Sequence, residues 1–264
     1  MEITHRLCHS ALSSSSLPGL QYSLNPYKGC QHNCAYCYVP NVLHIPRNRW
    51  GCFVEIKDNI PAVLAQELPK KHPGVVGIST VTDAYQPLEH IHQLTRTCLQ
   101  LLAEYDFPVC VQTKSKLVLR DLDLMTCFSH AELMLSIGTL HDEERMLLEP
   151  GASSIKDRLN VLKEAGQRGL KTSVFFGPAY PTVSKEDLYQ FLETLRLYNV
   201  AEIMVDRLNK KPGVIDAIAQ RTGNQGLSHL FSQTQTYDQH YQRIHENLYE
   251  LAQHQGIAIR DAFD

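Results

Sequence analysis

Three of the eight cysteines in this 264-residue chain lie close together, in the segment GCQHNCAYCY that begins at Gly29. Cys30, Cys34 and Cys37 have the spacing C-x3-C-x2-C, and soft thiolates of this kind bind zinc, copper(I) or iron–sulfur clusters. A tetrahedral zinc site takes four ligands, and His32 could supply the fourth. A three-thiolate [4Fe–4S] cluster instead leaves one iron without a protein ligand, so that a chelating small molecule can bind there. The spacing predicts a metal site, with the iron–sulfur cluster favoured and a Cys3His zinc loop as the alternative.

The other five cysteines show no second metal-ligand spacing and no disulfide framework. Scattered cysteines of this kind are typical of reduced thiols in a reducing compartment, which predicts a cytoplasmic protein. Cys98, Cys110 and Cys127 lie among Leu, Val and Phe and are expected to be small buried hydrophobic side chains. The five are Cys8, Cys52, Cys98, Cys110 and Cys127.

Composition narrows the class of protein further. At 43% hydrophobic residues, the chain is long enough for one large α/β core. Lys and Arg number 25 against 28 Asp and Glu, a formal charge of −3, so the broad positive field used for non-specific nucleic-acid binding is missing. No apolar run reaches signal-peptide length near the start, and nowhere do about 18 apolar residues run together. We therefore expect no membrane span, and a nucleic-acid substrate is unsupported by charge.

Short β-branched runs alternate with longer stretches of helical period, which is typical of βα units around a parallel sheet. The predicted strands are 21–24, 75–79, 109–113, 132–137, 171–176 and 201–205. The predicted helices are 60–70, 88–105, 117–127, 155–168, 185–198 and 213–221. After Gly226 one long amphipathic helix is expected over 237–254, with an edge strand at 257–259. Six units are too few to close an eight-fold barrel.

The cluster segment carries a resemblance to a known superfamily. CQHNCAYC, with Tyr36 in the aromatic position, resembles the C-x3-C-x-aromatic-C loop of the radical S-adenosylmethionine (SAM) superfamily. NPYKGCQHNCAYCY, ISTVTDAYQPLE, QTKSKLVLRDLDLM and LEPGASSIKDRLNVLKEAG, within residues 20–180, together resemble the group related to spore photoproduct lyase. The resemblance implies an α/β fold, a partial (β/α)6 TIM-like barrel over about 20–206, with a C-terminal helical extension over about 207–264 in one domain.

The same resemblance implies two cofactors, a [4Fe–4S] cluster and SAM. In this superfamily the amino and carboxylate groups of SAM chelate the open iron, and reductive cleavage gives methionine and a 5′-deoxyadenosyl radical. The radical would then abstract hydrogen from an organic or macromolecular substrate that the sequence does not identify. A reductant such as flavodoxin or ferredoxin is the implied electron donor.

Candidate SAM contacts follow the predicted strands, whose carboxyl ends meet at one barrel mouth. Thr80, Thr82 and Asp83 offer oxygen acceptors for the SAM ammonium group, although the Gly-Gly-Glu usual at this place is absent and a simple turn is the alternative. Lys114 matches a lysine that pairs with the SAM carboxylate, with a solvated loop lysine as the alternative. Ser136 matches a SAM-contacting serine, or is a strand hydroxyl satisfied within the core.

Further positions are carried over from the same family. Ala179 lies in the region where backbone atoms meet adenine. Glu149 and Arg158 form either a ligand-orienting pair or, equally well, a helix-capping charge and a surface arginine. Tyr36 is expected to pack on SAM, whereas Tyr38 is either a radical relay, and hence catalytic, or part of the wall.

The pattern departs from photoproduct lyases at one informative place. Those enzymes use a cysteine after the second strand as hydrogen donor, and the segment from Ser79 to Thr82 contains none. Repair of thymine lesions by that route is therefore not expected.

Two other functions remain open from sequence. One is a non-catalytic iron–sulfur or zinc protein that transfers electrons or serves as a scaffold, which would not need Lys114, Ser136 or the segment Thr80–Asp83. The other is nucleic-acid repair or modification, for which Arg207, Lys210 and Lys211 form the one basic cluster near a strand end.

Overall fold

The computed structural model describes residues 1–223 and 226–262, in which strands and helices alternate along most of the chain. The strands are β1 (Glu2–Arg6), β2 (Leu12–Ser14), β3 (Tyr22–Leu24), β4 (Tyr27–Lys28), β5 (Phe53–Lys57), β6 (Val76–Ile78), β7 (Val109–Thr113), β8 (Ala131–Ser136), β9 (Lys171–Phe176), β10 (Glu202–Val205) and β11 (Ala258–Asp261). The α-helices are α1 (Val39–Val42), α2 (Ile60–Glu67), α3 (Glu89–His92), α4 (Leu94–Glu104), α5 (Leu122–Met125), α6 (Asp142–Leu148), α7 (Ile155–Gln167), α8 (Lys185–Leu197), α9 (Val214–Thr222), α10 (Leu227–Ser232) and α11 (Thr234–Gln253). Short 3-10 helices span Arg47–Arg49, Leu68–Lys70 and Lys116–Asp121.

An eight-stranded sheet with the order β11-β10-β9-β8-β7-β6-β3-β2 forms the centre of the fold. From β3 to β11 each strand is parallel to its neighbour, and only β2 is antiparallel. Within the described residues the edge strands β2 and β11 do not pair with each other, so the barrel is open. The six predicted strands are β3 and β6 to β10, and this α/β fold confirms the predicted class.

The two faces of the sheet differ in polarity because side chains alternate along each strand. On the helix-covered face Val111 of β7, Leu133 of β8 and Val174 of β9 belong to one buried core together with apolar residues of α4, α7 and α8. The opposite face carries polar groups that meet across the strands. Glu132 there accepts a hydrogen bond from Ser173 at 2.6 Å and pairs with Lys171 at 2.8 Å.

Several predicted helix bounds are wrong for identifiable reasons. The helix expected over 88–105 is broken at Gln93, whose φ of 50° is left-handed. The Glu89 carboxylate accepts hydrogen bonds from the backbone N–H groups of Thr95 and Arg96, at 3.0 and 3.3 Å, and so caps the start of α4. The helix expected over 117–127 is a 3-10 helix, Lys116–Asp121, followed by the short α5. The long C-terminal helix begins at Thr234 rather than Tyr237, and the edge strand is β11, parallel to β10.

A second, three-stranded sheet with the order β1-β5-β4 was not predicted, because its strands are short and polar on one side. It determines where the cysteine segment begins. Gly29, directly after β4, has φ 93°, and a Cβ atom there would collide with the carbonyl oxygen of Phe53 in β5. Only glycine permits this close approach. None of the helices in the described parts of the chain is long and apolar enough to cross a membrane.

Candidate active site

The cysteine segment is a loop fixed along its length by the chain that follows β6. Gly29 O accepts a hydrogen bond from the Thr82 hydroxyl at 2.5 Å. Gln31 is held twice, since its backbone N–H donates to the Gln86 side chain at 3.0 Å and its side-chain oxygen accepts from Leu88 N at 2.7 Å. The loop is therefore ordered by its neighbours rather than by a metal alone.

The three predicted metal ligands come together in this loop. Burial raises the pKa of Cys30, Cys34 and Cys37 to about 12, and each thiol is also affected by the charge of another of the three. Thiols that resist ionisation in this way become thiolates when a metal supplies the compensating charge. The described residues contain no group of three Cys, His, Asp or Glu side chains that could hold a single metal ion. Three thiols on one loop are a donor set that a cubane cluster could use, because each thiolate would bind its own iron.

His32, the fourth ligand of the zinc alternative, has a different partner. It is 2% exposed, and its Nδ1 atom lies 3.2 Å from Asp83 Oδ2. Asp83 also accepts hydrogen bonds from the Thr113 hydroxyl at 2.7 Å, Lys114 N at 2.9 Å and Tyr85 N at 2.9 Å. Burial alone would raise the pKa of Asp83, but His32 and these hydrogen bonds lower it below its usual range. Asp83 therefore connects the loop to two strand ends.

This geometry bears on the predicted partner of the SAM ammonium group. Both oxygens of Asp83 already have protein partners. The Thr82 hydroxyl donates to Gly29 and accepts from Gln86 at 3.1 Å. The Thr80 hydroxyl accepts only a long hydrogen bond from Asn25, at 3.4 Å. All three lie beside the loop as predicted, and Thr80 is the least engaged of them.

Glu149 and Arg158 form a buried ion pair next to the cysteine loop. Arg158 is 0% exposed, donates to a Glu149 oxygen, and also donates to Ser136 O at 2.7 Å. The second Glu149 oxygen accepts a hydrogen bond from the Tyr36 hydroxyl. The alternative of a surface arginine is therefore wrong, because this guanidinium anchors the Tyr36 side chain through Glu149.

Lys114 lies against this pair. Its Nζ atom is 5.9 Å from the centre of the Tyr36 ring, within the range of a cation–π contact. Burial alone would lower the pKa of Lys114, but Cys34 and Glu149 more than offset this and raise it. The residue follows β7 directly, as predicted, and carries a positive charge next to a predicted metal ligand.

Ser136 is the last residue of β8, and Ala179 lies in the turn after β9. Ser136 is 1% exposed and accepts a hydrogen bond from Gln112 at 3.2 Å. Ala179 is fully buried, and its carbonyl accepts a hydrogen bond from the Tyr237 hydroxyl at 3.2 Å. Both lie at the carboxyl ends of strands, and their contacts with a ligand stay predictions.

Tyr38 and Asp206 lie at the other side of the mouth. Burial raises the pKa of Tyr38, with further contributions from Cys37 and Asp206. Burial also raises the pKa of Asp206, to about 6. Its carboxylate accepts a backbone hydrogen bond from Arg207, but no side chain of the described residues donates one to it. Sequence reasoning missed Asp206, although its place one residue after β10 is the signal that could have identified it.

Two cations follow Asp206 along the chain, and each lies over a tyrosine ring of α11. The Arg207 guanidinium lies 5.1 Å from the centre of the Tyr241 ring, and Lys210 Nζ lies 4.9 Å from that of Tyr237.

Cys110, by contrast, lies near the amino end of β7 and lines a cavity of about 400 Å³ together with His130 and Arg168. This cysteine is therefore at the opposite end of the strands from the mouth.

Comparison with known proteins identifies the family. A family model described as the radical SAM superfamily matches residues 24–195. An uncharacterised protein of Methanocaldococcus jannaschii is 32% identical over 182 residues, which is 69% of this chain and 69% of the relative. The chain belongs to the radical SAM superfamily. Membership identifies it as a radical SAM enzyme of open reaction subclass, and the superfamily generally uses SAM and a [4Fe–4S] cluster.

Other radical SAM relatives differ in length. An uncharacterised protein of Mycobacterium tuberculosis is 31% identical over 201 residues, 70% of this chain but 59% of the relative. A radical SAM Nα-GlyT isomerase of Pseudomonas phage M6 is 24% identical over 71% of this chain and 42% of the relative. A spore photoproduct lyase with bound AdoMet and dinucleoside spore photoproduct has a TM-score of 0.73 at 14% identity, over 97% of this chain and 81% of that one. The last likeness establishes a shared fold.

Proposed function

We propose that Cys30, Cys34 and Cys37 hold one [4Fe–4S] cluster and that SAM completes the coordination of its open iron. When bound, this pair of cofactors supplies a 5′-deoxyadenosyl radical that abstracts hydrogen from an organic substrate. The observation that carries the proposal is the grouping of three neighbouring thiols beside the half-buried Lys114, whose ammonium group lies over the Tyr36 ring. An electron carrier needs the thiols but has no use for the lysine, which argues against the non-catalytic alternative.

Lys114 is the proposed partner of the SAM carboxylate. Its ammonium group is kept charged by Cys34 and Glu149 and is oriented by the Tyr36 ring. A charge-assisted hydrogen bond from such a group contributes about 1.5–3 kcal/mol. Tyr36 itself is anchored by Glu149, which supports its proposed packing on SAM.

The other proposed SAM contacts each rest on a different structural observation. Thr80 is the best supported acceptor for the ammonium group, since its hydroxyl has only a long internal partner. Thr82 and Asp83 are proposed to act chiefly by holding the loop through Gly29 and His32. Ser136 and Ala179 are proposed to meet the ribose and adenine parts, because both lie at strand ends that face the mouth.

Tyr38 and Asp206 are proposed to form the part of the site that contacts the substrate. Asp206 contributes to the raised pKa of Tyr38, which supports their closeness, and among the described residues no side chain donates a hydrogen bond to the Asp206 carboxylate. A strongly perturbed carboxylate in a mouth is a functional-site candidate. Asp206 would accept a hydrogen bond from a substrate N–H or O–H group and position it next to the radical.

A nucleic-acid substrate is the second candidate, favoured by Arg207 and Lys210 at the end of β10. It also agrees with the dinucleoside bound in the lyase structure. Against it stand the formal charge of −3 and the lack of a cysteine donor between Ser79 and Asp83. Fluorescence anisotropy with a labelled thymine-rich oligonucleotide, at low salt and with Lys210→Ala as the comparison, tests this candidate.

We also propose one catalytic domain over residues 1–264 and a small iron–sulfur or flavin protein as reductant. All eight cysteines are free thiols, which agrees with the reducing cytoplasm.

The deciding experiment is anaerobic reconstitution with iron and sulfide, followed by SAM and a strong reductant. We expect about four irons per chain and formation of 5′-deoxyadenosine. Stoichiometric zinc in protein made without air, or a full cluster that never cleaves SAM, would contradict the proposal.

A further inference from the structure

Trp50 carries a buried N–H group for which the protein supplies no acceptor. It is the single tryptophan of the chain and is 5% exposed. No acceptor among the described residues lies within hydrogen-bonding reach of its Nε1 atom. Indole nitrogen can only donate, and buried donors without a partner are rare enough to need an explanation.

The position of this indole indicates where an acceptor would be. Trp50 belongs to a small apolar cluster with Cys30 and Val39, and Cys37 packs against the same cluster. Two of the three proposed cluster ligands therefore share the pocket of the indole ring. The other members of this cluster, Val39, Leu43, Ile45 and Val81, have apolar side chains that offer a water molecule no hydrogen-bond partner.

The backbone around Trp50 is built to hold it against the cysteine loop. Trp50 ends the 3-10 helix Arg47–Arg49, with its backbone N–H donating to Arg47 O at 3.0 Å. Gly51 follows with φ 78°, and a Cβ atom there would collide with the Asn33 side chain. The glycine allows this segment to lie directly on the loop between Cys30 and Cys34.

We propose that the Trp50 N–H donates a hydrogen bond to a sulfur atom of the bound iron–sulfur cluster and thereby raises its reduction potential. The inference rests on the proposed function, which puts the cluster between these cysteines. Sulfide and thiolate sulfur atoms accept hydrogen bonds, and such bonds are one of the ways in which proteins set cluster potentials. The one-electron reduced form carries one more negative charge, so a donor stabilises it more than the oxidised form. The electron comes from the external reductant.

The test compares two replacements of the indole in the reconstituted full chain. Trp50→Phe removes the N–H group and part of the ring. Because the chain has one tryptophan, residue-specific incorporation of 3-benzothienylalanine changes this position alone and replaces N–H by sulfur at nearly constant shape. Ile45→Val is the matched control, since it trims the same apolar cluster without touching a donor.

The measurement is an EPR-monitored redox titration without SAM. In both indole replacements we expect the ratio of reduced to oxidised cluster at a fixed applied potential to fall about tenfold. This corresponds to a reduction potential lower by about 59 mV for a one-electron couple. Ile45→Val should titrate like the wild type. An unchanged potential in the benzothienylalanine protein overturns the inference, whatever Trp50→Phe does. If Trp50→Phe fails to bind iron, the isosteric protein decides.

Fluorescence gives a second readout that does not depend on activity. Trp50 is the one tryptophan of the chain, so tryptophan emission reports on this position alone. We expect this emission to be strongly quenched as iron and sulfide are incorporated. Unquenched emission at full cluster loading would overturn the inference while leaving the proposed function intact. A wild-type protein that assembles no cluster would instead overturn both.

Discussion

The two sides of the barrel mouth differ in how their charged groups are partnered. On the cofactor side, formed by residues 29–37, 79–86 and 148–158, Asp83, Glu149 and Arg158 all have protein partners for their polar atoms. On the open side, formed by Tyr38, residues 206–211 and the tyrosines of α11, Asp206 has no side-chain donor and the nearby cations stack on rings.

This difference separates two tasks. A buried ion pair whose polar atoms are hydrogen-bonded, as in Glu149 and Arg158, is held in one arrangement and so can fix the geometry of a cofactor. Groups without partners can adapt to a ligand that brings its own donors. Under the proposed function, the cofactor side would hold the constant part of the chemistry and the open side would select the substrate.

The largest expected effect is the loss of the cluster. Each of the three variants in which Cys30, Cys34 or Cys37 is replaced by Ala should lack both bound iron and SAM cleavage. One thiolate ligand is lost in each, and the other cysteines form no second group of metal ligands. Iron content and the visible absorption spectrum after anaerobic reconstitution measure this. The expectation of a buried thiol is correct for Cys98 but wrong for Cys127, which is exposed. Cys127→Ala is therefore the control and should retain the full spectrum.

A second change tests the rigidity of the cofactor side. Arg158→Met leaves Glu149 buried without its cation, and the free energy of unfolding should fall by about 3–5 kcal/mol. Arg207→Met on the open side should change it by less than about 1 kcal/mol. Urea unfolding of the reduced apoprotein measures both. Equal losses in the two variants would remove the distinction between the two sides.

The third effect concerns SAM itself. Lys114→Ala should weaken SAM binding about tenfold or more and leave the iron content unchanged, because one charge-assisted bond is lost. Calorimetry on the reconstituted protein measures the dissociation constant. Lys116→Ala, whose exposed side chain pairs with Asp157, is the matched control. If both variants bind SAM like the wild type, Lys114 does not contact it.

The smallest effect is a pH dependence on the open side. Burial holds the pKa of Asp206 at about 6 in the folded protein, above its unfolded value. The folded state therefore binds a proton more tightly, and ionisation above pH 6 costs stability. Asp206→Asn should raise the free energy of unfolding at pH 7 by about 1 kcal/mol, allowing for solvent screening. The gain should vanish as pH falls through 6 towards 4.

Urea titrations across this pH range measure the difference. Asp216→Asn, at an exposed position of α9, should show no such trend. A gain that persisted at pH 4 would mean that the carboxylate is not desolvated.

Periodicity and local signals were sufficient to predict the parallel sheet. β7 and β9 have the predicted bounds, and α8 lies within the predicted range 185–198, with a capping box of Ser184 and Asp187 at its start. The break at Gln93 could not be predicted, because it depends on Glu89 reaching across to cap α4.

The candidate site was predictable where chemistry is encoded in spacing, as in the cysteine loop. It was not predictable where distant segments combine. Neither the burial of Arg158 nor the occupation of Asp83 by His32 follows from local sequence, and Asp206 has no motif around it. The orphan N–H of Trp50 is a property of three-dimensional packing alone.

The contact between Tyr36 and Glu149 has a consequence for synthesis of the chain. The two residues are separated by 113 positions, and Ala35 N also donates to the distant Leu148 O at 2.8 Å. At about 5–20 residues per second, the ribosome needs roughly 6–20 s to deliver the second half of these contacts. During that interval the three thiols belong to a nascent chain that does not yet enclose them. The enclosure of the three thiols is therefore complete only after translation has passed Arg158.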